Sequence, residues 1–154
     1  MAKAILIYGT DTGNTEALSE SVVEGLTAGG IEVTVKDVGD ASVNELANYD
    51  LIVLGCPSYG EEEDAEDIDN LLEGFHDFYN EMENISLSGK KSAVFGPGDS
   101  EQYPDTYCKA VDVLEERLNK CGAEVIVDGF RVDGEVDPAM GDAESWGSEV
   151  AQNI

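Results

Sequence analysis

Seven residues near the amino terminus, Gly9-Thr10-Asp11-Thr12-Gly13-Asn14-Thr15, combine two glycines that let a backbone turn inward with four side chains able to donate hydrogen bonds. Ahead of a helix, whose first N–H groups and positive dipole end favour negative charge, such a loop can cradle a phosphate. It lacks the Gly-Lys-Ser/Thr ending of a Walker A loop and the GxGxxG spacing of a dinucleotide fold. With no Lys or Arg, it would hold a phosphate by neutral dipoles alone. The same residue types also suit an ordinary helix start capped by Thr or Asn. A second stretch, Gly55-Cys56-Pro57-Ser58-Tyr59-Gly60, sets an aromatic beside a glycine, so a planar ligand could be covered while the backbone bends round it; a plain turn uses the same residues. A third, running from Gly96-Pro97-Gly98-Asp99 through Tyr103 and Thr106 to Tyr107-Cys108, is polar and longer than a simple connection needs. Tyr103 could stack on a flat ring or simply lie on the surface, and the glycines let amides approach a ligand edge.

Other chemistry is handicapped. His76 is the one histidine in 154 residues, and Cys56, Cys108 and Cys121 form no CxxC pair. His76 is expected on the surface, and Cys56 and Cys108 as small buried residues rather than nucleophiles. The chain has 34 Asp and Glu against 8 Lys and Arg, a net charge of −26. Size scaling gives a folded surface of about 7,500 Å², hence about 300 Å² per net charge, which opposes nucleic acid and anionic membrane alike. A basic partner or a salt-rich setting is compatible with it. No stretch approaches 18 apolar residues and none reads as a secretory signal, so a cytoplasmic protein with reduced thiols is expected.

The elements that must hold these loops follow from patterning. Ala4–Tyr8, Leu51–Leu54, Ser92–Phe95 and Val125–Val127 are near-continuous apolar runs, the pattern of strands buried on both faces; Ile31–Val35 alternates, as at a sheet edge. Leu18, Val22 and Leu26 mark a helix stopped by Gly29-Gly30. Ile68, Leu71, Leu72, Phe75 and Met82 mark a longer one; Val111, Leu114, Leu118 and Cys121 mark a third, ended by Gly122. Trp146, Val150 and Ile154 suggest a last helix, and 40–49 has room for a short one. Strand and helix alternate five times, which predicts a single α/β domain over 1–154, a parallel sheet with helices on both faces. In such sheets ligands sit beyond the carboxyl ends of the strands, where all three loops fall. A phosphate nest flanked by two aromatic loops describes the site of a phosphorylated planar cofactor.

Over essentially its whole length the chain resembles the flavodoxin family. The resemblance rests on Tyr8-Gly9-Thr10-Asp11-Thr12-Gly13-Asn14-Thr15-Glu16, on Leu54-Gly55-Cys56-Pro57-Ser58-Tyr59-Gly60, and on Phe95-Gly96-Pro97-Gly98-Asp99 continuing to Tyr107-Cys108. It implies a doubly wound five-stranded sheet in the order 2-1-3-4-5, an order for which flavodoxins are themselves the known example. The short segment after Val127 is similar to short-chain members, which lack a loop splitting the fifth strand; the spacing of Asp99 and Cys108 is more like the long-chain tyrosine loop.

The family resemblance further implies non-covalent FMN. Thr10, Asp11, Thr12, Gly13, Asn14 and Thr15 match the phosphate loop, Pro57, Ser58, Tyr59 and Gly60 the inner side of the flavin ring, and Tyr103 its outer face. Pro97, Gly98, Asp99, Thr106, Tyr107 and Cys108 match the pyrimidine edge. A low-potential one-electron carrier is implied, shuttling between hydroquinone and semiquinone, with no substrate turnover of its own. Gly60 would let its peptide turn a carbonyl toward the protonated ring nitrogen. Eleven acids and no Lys or Arg between Glu61 and Glu83 would steer basic-faced redox proteins to the flavin edge and keep the protein monomeric. A phospho-receiver domain is disfavoured because Leu54-Gly55 and Val127-Asp128 stand where its Asp and Lys would be needed. A flavin-dependent reductase is the alternative, with little proton-transfer machinery to support it.

Overall fold

The computed structural model describes residues 2–58, 67–101 and 108–154. Its sheet is built from β1 (Lys3–Tyr8), β2 (Glu32–Asp37), β3 (Leu51–Gly55) and β4 (Lys91–Gly98), with β5 (Glu124–Val125) and β6 (Phe130–Asp133) both pairing with β4. All pairings are parallel, and the order is β2-β1-β3-β4-β5, as the resemblance implies.

Side chains alternate across a strand, so each central strand supplies two cores. Ile5, Ile7, Ile52, Leu54 and Val94 enter one; Ala4, Leu6, Leu51, Val53, Ala93 and Phe95 enter the other. The second core is covered by α1 (Asn14–Ala28) and α4 (Met140–Gln152) through Leu18, Val22, Leu26, Ala143, Trp146 and Val150. The first is covered by α2 (His76–Glu81) and α3 (Lys109–Lys120), with Leu71, Phe75, Met82, Val111, Leu114 and Leu118. Where α1 and α4 cross, a Cβ on Gly25 would strike the Glu144 carbonyl and one on Gly147 the Val22 carbonyl, so the two backbones approach closely.

Three local expectations need correction. The 67–84 stretch is not one helix but 3₁₀ turns at Asp67–Asn70, Glu73–Phe75 and Met82–Asn84 around the short α2. Its periodic residues Leu71, Phe75 and Met82 are nonetheless buried. The break has a tertiary cause: Leu71 forms an antiparallel bridge with Ser58, the Leu72 N–H points at Cys56 Sγ at 3.5 Å, and Leu72 is extended (ψ 137°). The run Val125–Val127 is half-buried and only its first residue belongs to a strand. Ile126 still donates to the Ser92 carbonyl, but the chain then leaves the ladder at Asp128-Gly129, where the Trp146 indole N–H holds the Asp128 carbonyl at 2.9 Å, and rejoins as β6. Ile154, expected on the face of the last helix, is 40% exposed beyond its end. The segment 40–49 is likewise 3₁₀, its Val43–Asn48 turn opened by a capping box between Ser42 and Glu45.

Candidate functional site

Tyr8, Gly55 and Gly98 end their strands at one edge of the sheet, and the chain beyond them forms a cavity of about 530 Å³. Asp11, Thr12, Asn14 and Thr15 line it from the first loop, Pro57 and Ser58 from the second, and Pro97, Gly98 and Asp99 from the third. The three loops therefore meet.

The first loop is shaped by its turn residues. Gly13 has φ 89°, a left-handed conformation that favours glycine, and its N–H donates to Thr10 Oγ1 at 2.9 Å. Gly13 caps α1 without a side chain, and the first intrahelical bond runs from the Ala17 N–H to the Gly13 carbonyl at 3.0 Å. The N–H groups ahead of Ala17 are therefore without intrahelical acceptors. Thr15 is 1% exposed, yet among the described residues its hydroxyl has no hydrogen-bond partner although it lines the cavity. A buried hydroxyl left so costs about 1–3 kcal/mol.

Ser58 does more than bend a loop. Its Oγ accepts the Ala110 N–H at 2.9 Å, capping α3 from another part of the chain, because Cys108 at the head of α3 has φ 49° and offers no side-chain cap. Ser58→Ala is expected to lower stability by about 1 kcal/mol, a drop of about 3 °C in melting temperature by calorimetry.

Cys108 itself is fully buried, its Sγ near the Gly96 and Val132 carbonyls, and does not line the cavity. Burial pushes the Cys56 thiol up to about 12, which is no nucleophile's environment. His76 is half-buried rather than on the surface, with Nε2 3.2 Å from the Leu71 carbonyl. Tyr59, Gly60, Tyr103, Thr106 and Tyr107 lie outside the described residues.

Sequence reasoning missed a fourth contribution: Gly134, Glu135, Val136 and Asp137, between β6 and α4, also line the cavity. The carboxyl-end rule applies to the last strand as to the others, and Asp133-Gly134 after Val132 was the available signal. Among the described residues the lining includes the carboxylates Asp11, Asp99, Glu135 and Asp137 and no Lys or Arg.

A family model described as flavodoxin matches residues 6–146. The flavodoxin of Maridesulfovibrio salexigens is 43% identical over 155 residues, covering 100% of both chains. The chain belongs to the flavodoxin family. Among solved structures, oxidised flavodoxin 1 from Bacillus cereus superposes with a TM-score of 0.85 at 32% identity, covering 99% of each chain. A Fusobacterium nucleatum flavodoxin mutant, solved bound to flavin mononucleotide, has a TM-score of 0.78 at 17% identity over 99% of this chain and 95% of that one; that likeness concerns the fold alone. Flavodoxins are FMN-binding electron-transfer proteins that turn over no substrate of their own. The present geometry fits that cofactor: the orphaned Thr15 hydroxyl and the open end of α1 are the donors a phosphate monoester requires.

Proposed function

We propose that the cavity holds FMN with its phosphate in the Thr10, Asp11, Thr12, Gly13, Asn14, Thr15 loop. The ring would have Pro57, Ser58, Tyr59 and Gly60 on its inner side and Tyr103 on its outer face, with Pro97, Gly98, Asp99, Thr106 and Tyr107 along its pyrimidine edge and the buried Cys108 behind that edge rather than against the ring. The protein then works as a low-potential one-electron carrier, a monomer in the cytoplasm serving basic-faced redox proteins. The observation that carries this reading is the buried, unpartnered Thr15 hydroxyl beside the open start of α1. FMN supplies the reversible electron chemistry; the chain supplies binding and field.

The nest binds by neutral dipoles, so the surrounding charge stays strongly negative. A carboxylate ~10 Å from an added negative charge contributes roughly 0.4 kcal/mol of repulsion before screening, or below about 20 mV. Several together lower a reduction potential by tens of millivolts. On an approaching basic protein the same charges act from farther away and raise the encounter rate. Among the described residues no helix is long and apolar enough to cross a membrane.

The experiment compares the parent with a variant in which Glu61, Glu62, Glu63 and Asp64 are converted to amides. Electron transfer to a basic cytochrome is expected to slow in the variant at low salt, and the difference to close as salt rises. Identical association rates across ionic strength would retire the steering role and leave the acidity as an adaptation of solubility or to salt.

A further inference from the structure

Asp133 closes β6, opposite Gly98 in the ladder with β4, and its carboxylate takes both donors of Ser100. The Ser100 N–H reaches Oδ1 at 2.9 Å and the hydroxyl reaches Oδ2. One residue on, the Gly134 N–H donates to the Gly98 carbonyl at 2.8 Å. Two stretches of chain are thereby tied together where each leaves its strand. Gly98 and Asp99 on one stretch and Gly134 on the other line the cavity, whereas Ser100 and Asp133 themselves do not.

We infer that Asp133 is a positioning residue for the flavin ring: by gripping Ser100 it fixes the Gly98–Asp99 backbone against the ring edge. The inference rests on the reading that the ring lies against Pro97–Asp99. The two bonds hold the Asp133 carboxyl below the usual carboxylate range, so the acceptor is charged at neutral pH. Asp133 is exposed, so the clasp adds little to global stability. Its effect falls instead on binding, because a wall already ordered spares the ligand the cost of ordering it. FMN and riboflavin share the ring, so both must feel the clasp equally. The preference between them is set by the phosphate nest.

The test titrates apoprotein with FMN and with riboflavin. Asp133→Ala, Ser100→Ala and the double variant are each expected to weaken both ligands by a similar factor, about three- to tenfold, with the double no worse than either single. Asp133→Asn, which can still accept from the Ser100 N–H and donate to its hydroxyl, should recover most of the loss. The apoprotein's melting temperature should stay within about 2 °C of the parent's. Parent-like affinities, a loss confined to FMN, or a loss that tracks a fall in melting temperature would each overturn the inference. The underlying reading is checked separately by amide chemical shifts of Gly98 and Asp99 when riboflavin is added to the parent apoprotein. If those shifts do not move, the ring placement fails and the inference with it. If they move while the variants bind as the parent does, the clasp alone fails.

Discussion

Apoprotein titrated with flavins is expected to bind FMN on the order of a thousandfold more tightly than riboflavin. The two ligands differ in one phosphate. Three or four hydrogen bonds to that group, at about 1–1.5 kcal/mol each, supply about 4 kcal/mol. The donors we propose for it are the open N–H groups at the head of α1 and the hydroxyls of Thr12 and Thr15, which line the cavity. Thr15 carries the sharper prediction, since its hydroxyl is buried and has no partner among the described residues. Thr15→Val should weaken FMN about tenfold and leave riboflavin unchanged, as read by quenching of flavin fluorescence. Thr12→Val should act in the same direction. If both flavins weaken together, the variant has lost the loop rather than a phosphate contact. If the parent binds both equally, the nest does not hold a phosphate.

The second large effect concerns the helix pair behind the nest. Gly141 and Gly147 both lie in α4, yet a methyl group has opposite consequences at the two sites. At Gly141 no atom of the described residues stands within 4 Å of an added Cβ, so Gly141→Ala should stabilise the protein by about 0.5–1 kcal/mol through the lower entropy of the unfolded chain. At Gly147 the Cβ would strike the Val22 carbonyl of α1, and backbone cannot swing aside as a side chain can. Gly147→Ala should cost about 3 kcal/mol and lower the melting temperature by about 10 °C. Because Thr15 and Val22 share α1, the same variant should also weaken FMN. Equal melting temperatures for the two alanine variants would show that the helices do not pack as described.

The central strands and the loops that follow them were legible in the sequence because β1, β3 and the middle of β4 are buried on both faces, leaving unbroken apolar runs. The helix stops were legible for a different reason: Gly30 and Gly122 take φ 88° and 96°, which few other residues adopt. What was not legible depended on contacts distant in sequence. The apolar spacing from Ile68 to Met82 is helical, but the bridge from Leu71 to Ser58 and the approach of Leu72 to Cys56 break the helix, and neither is encoded in local periodicity. Val125–Val127 resembled a buried strand; Trp146, about twenty residues on, holds the Asp128 carbonyl that turns the chain out of the ladder. Ending the fifth strand at Val127 hid β6, and with it the Gly134–Asp137 part of the cavity. Among the described residues nine of the candidates line that cavity, and Thr10 and Gly13 are joined by the hydrogen bond that turns its first loop.

The interruption between β5 and β6 has a consequence away from the cavity. An outermost strand offers a row of unsatisfied amides and carbonyls to which a second chain could add itself, the first step toward fibrous assembly. Here that margin is two residues, a departure at 126–129, and four residues more, too short and too uneven to template an incoming strand. The opposite margin, β2, is continuous, but Glu32, Lys36 and Asp37 put charge along it. Colloidal stability is thus built into the geometry of one margin and the chemistry of the other, and it would persist in brine concentrated enough to silence the repulsion between molecules.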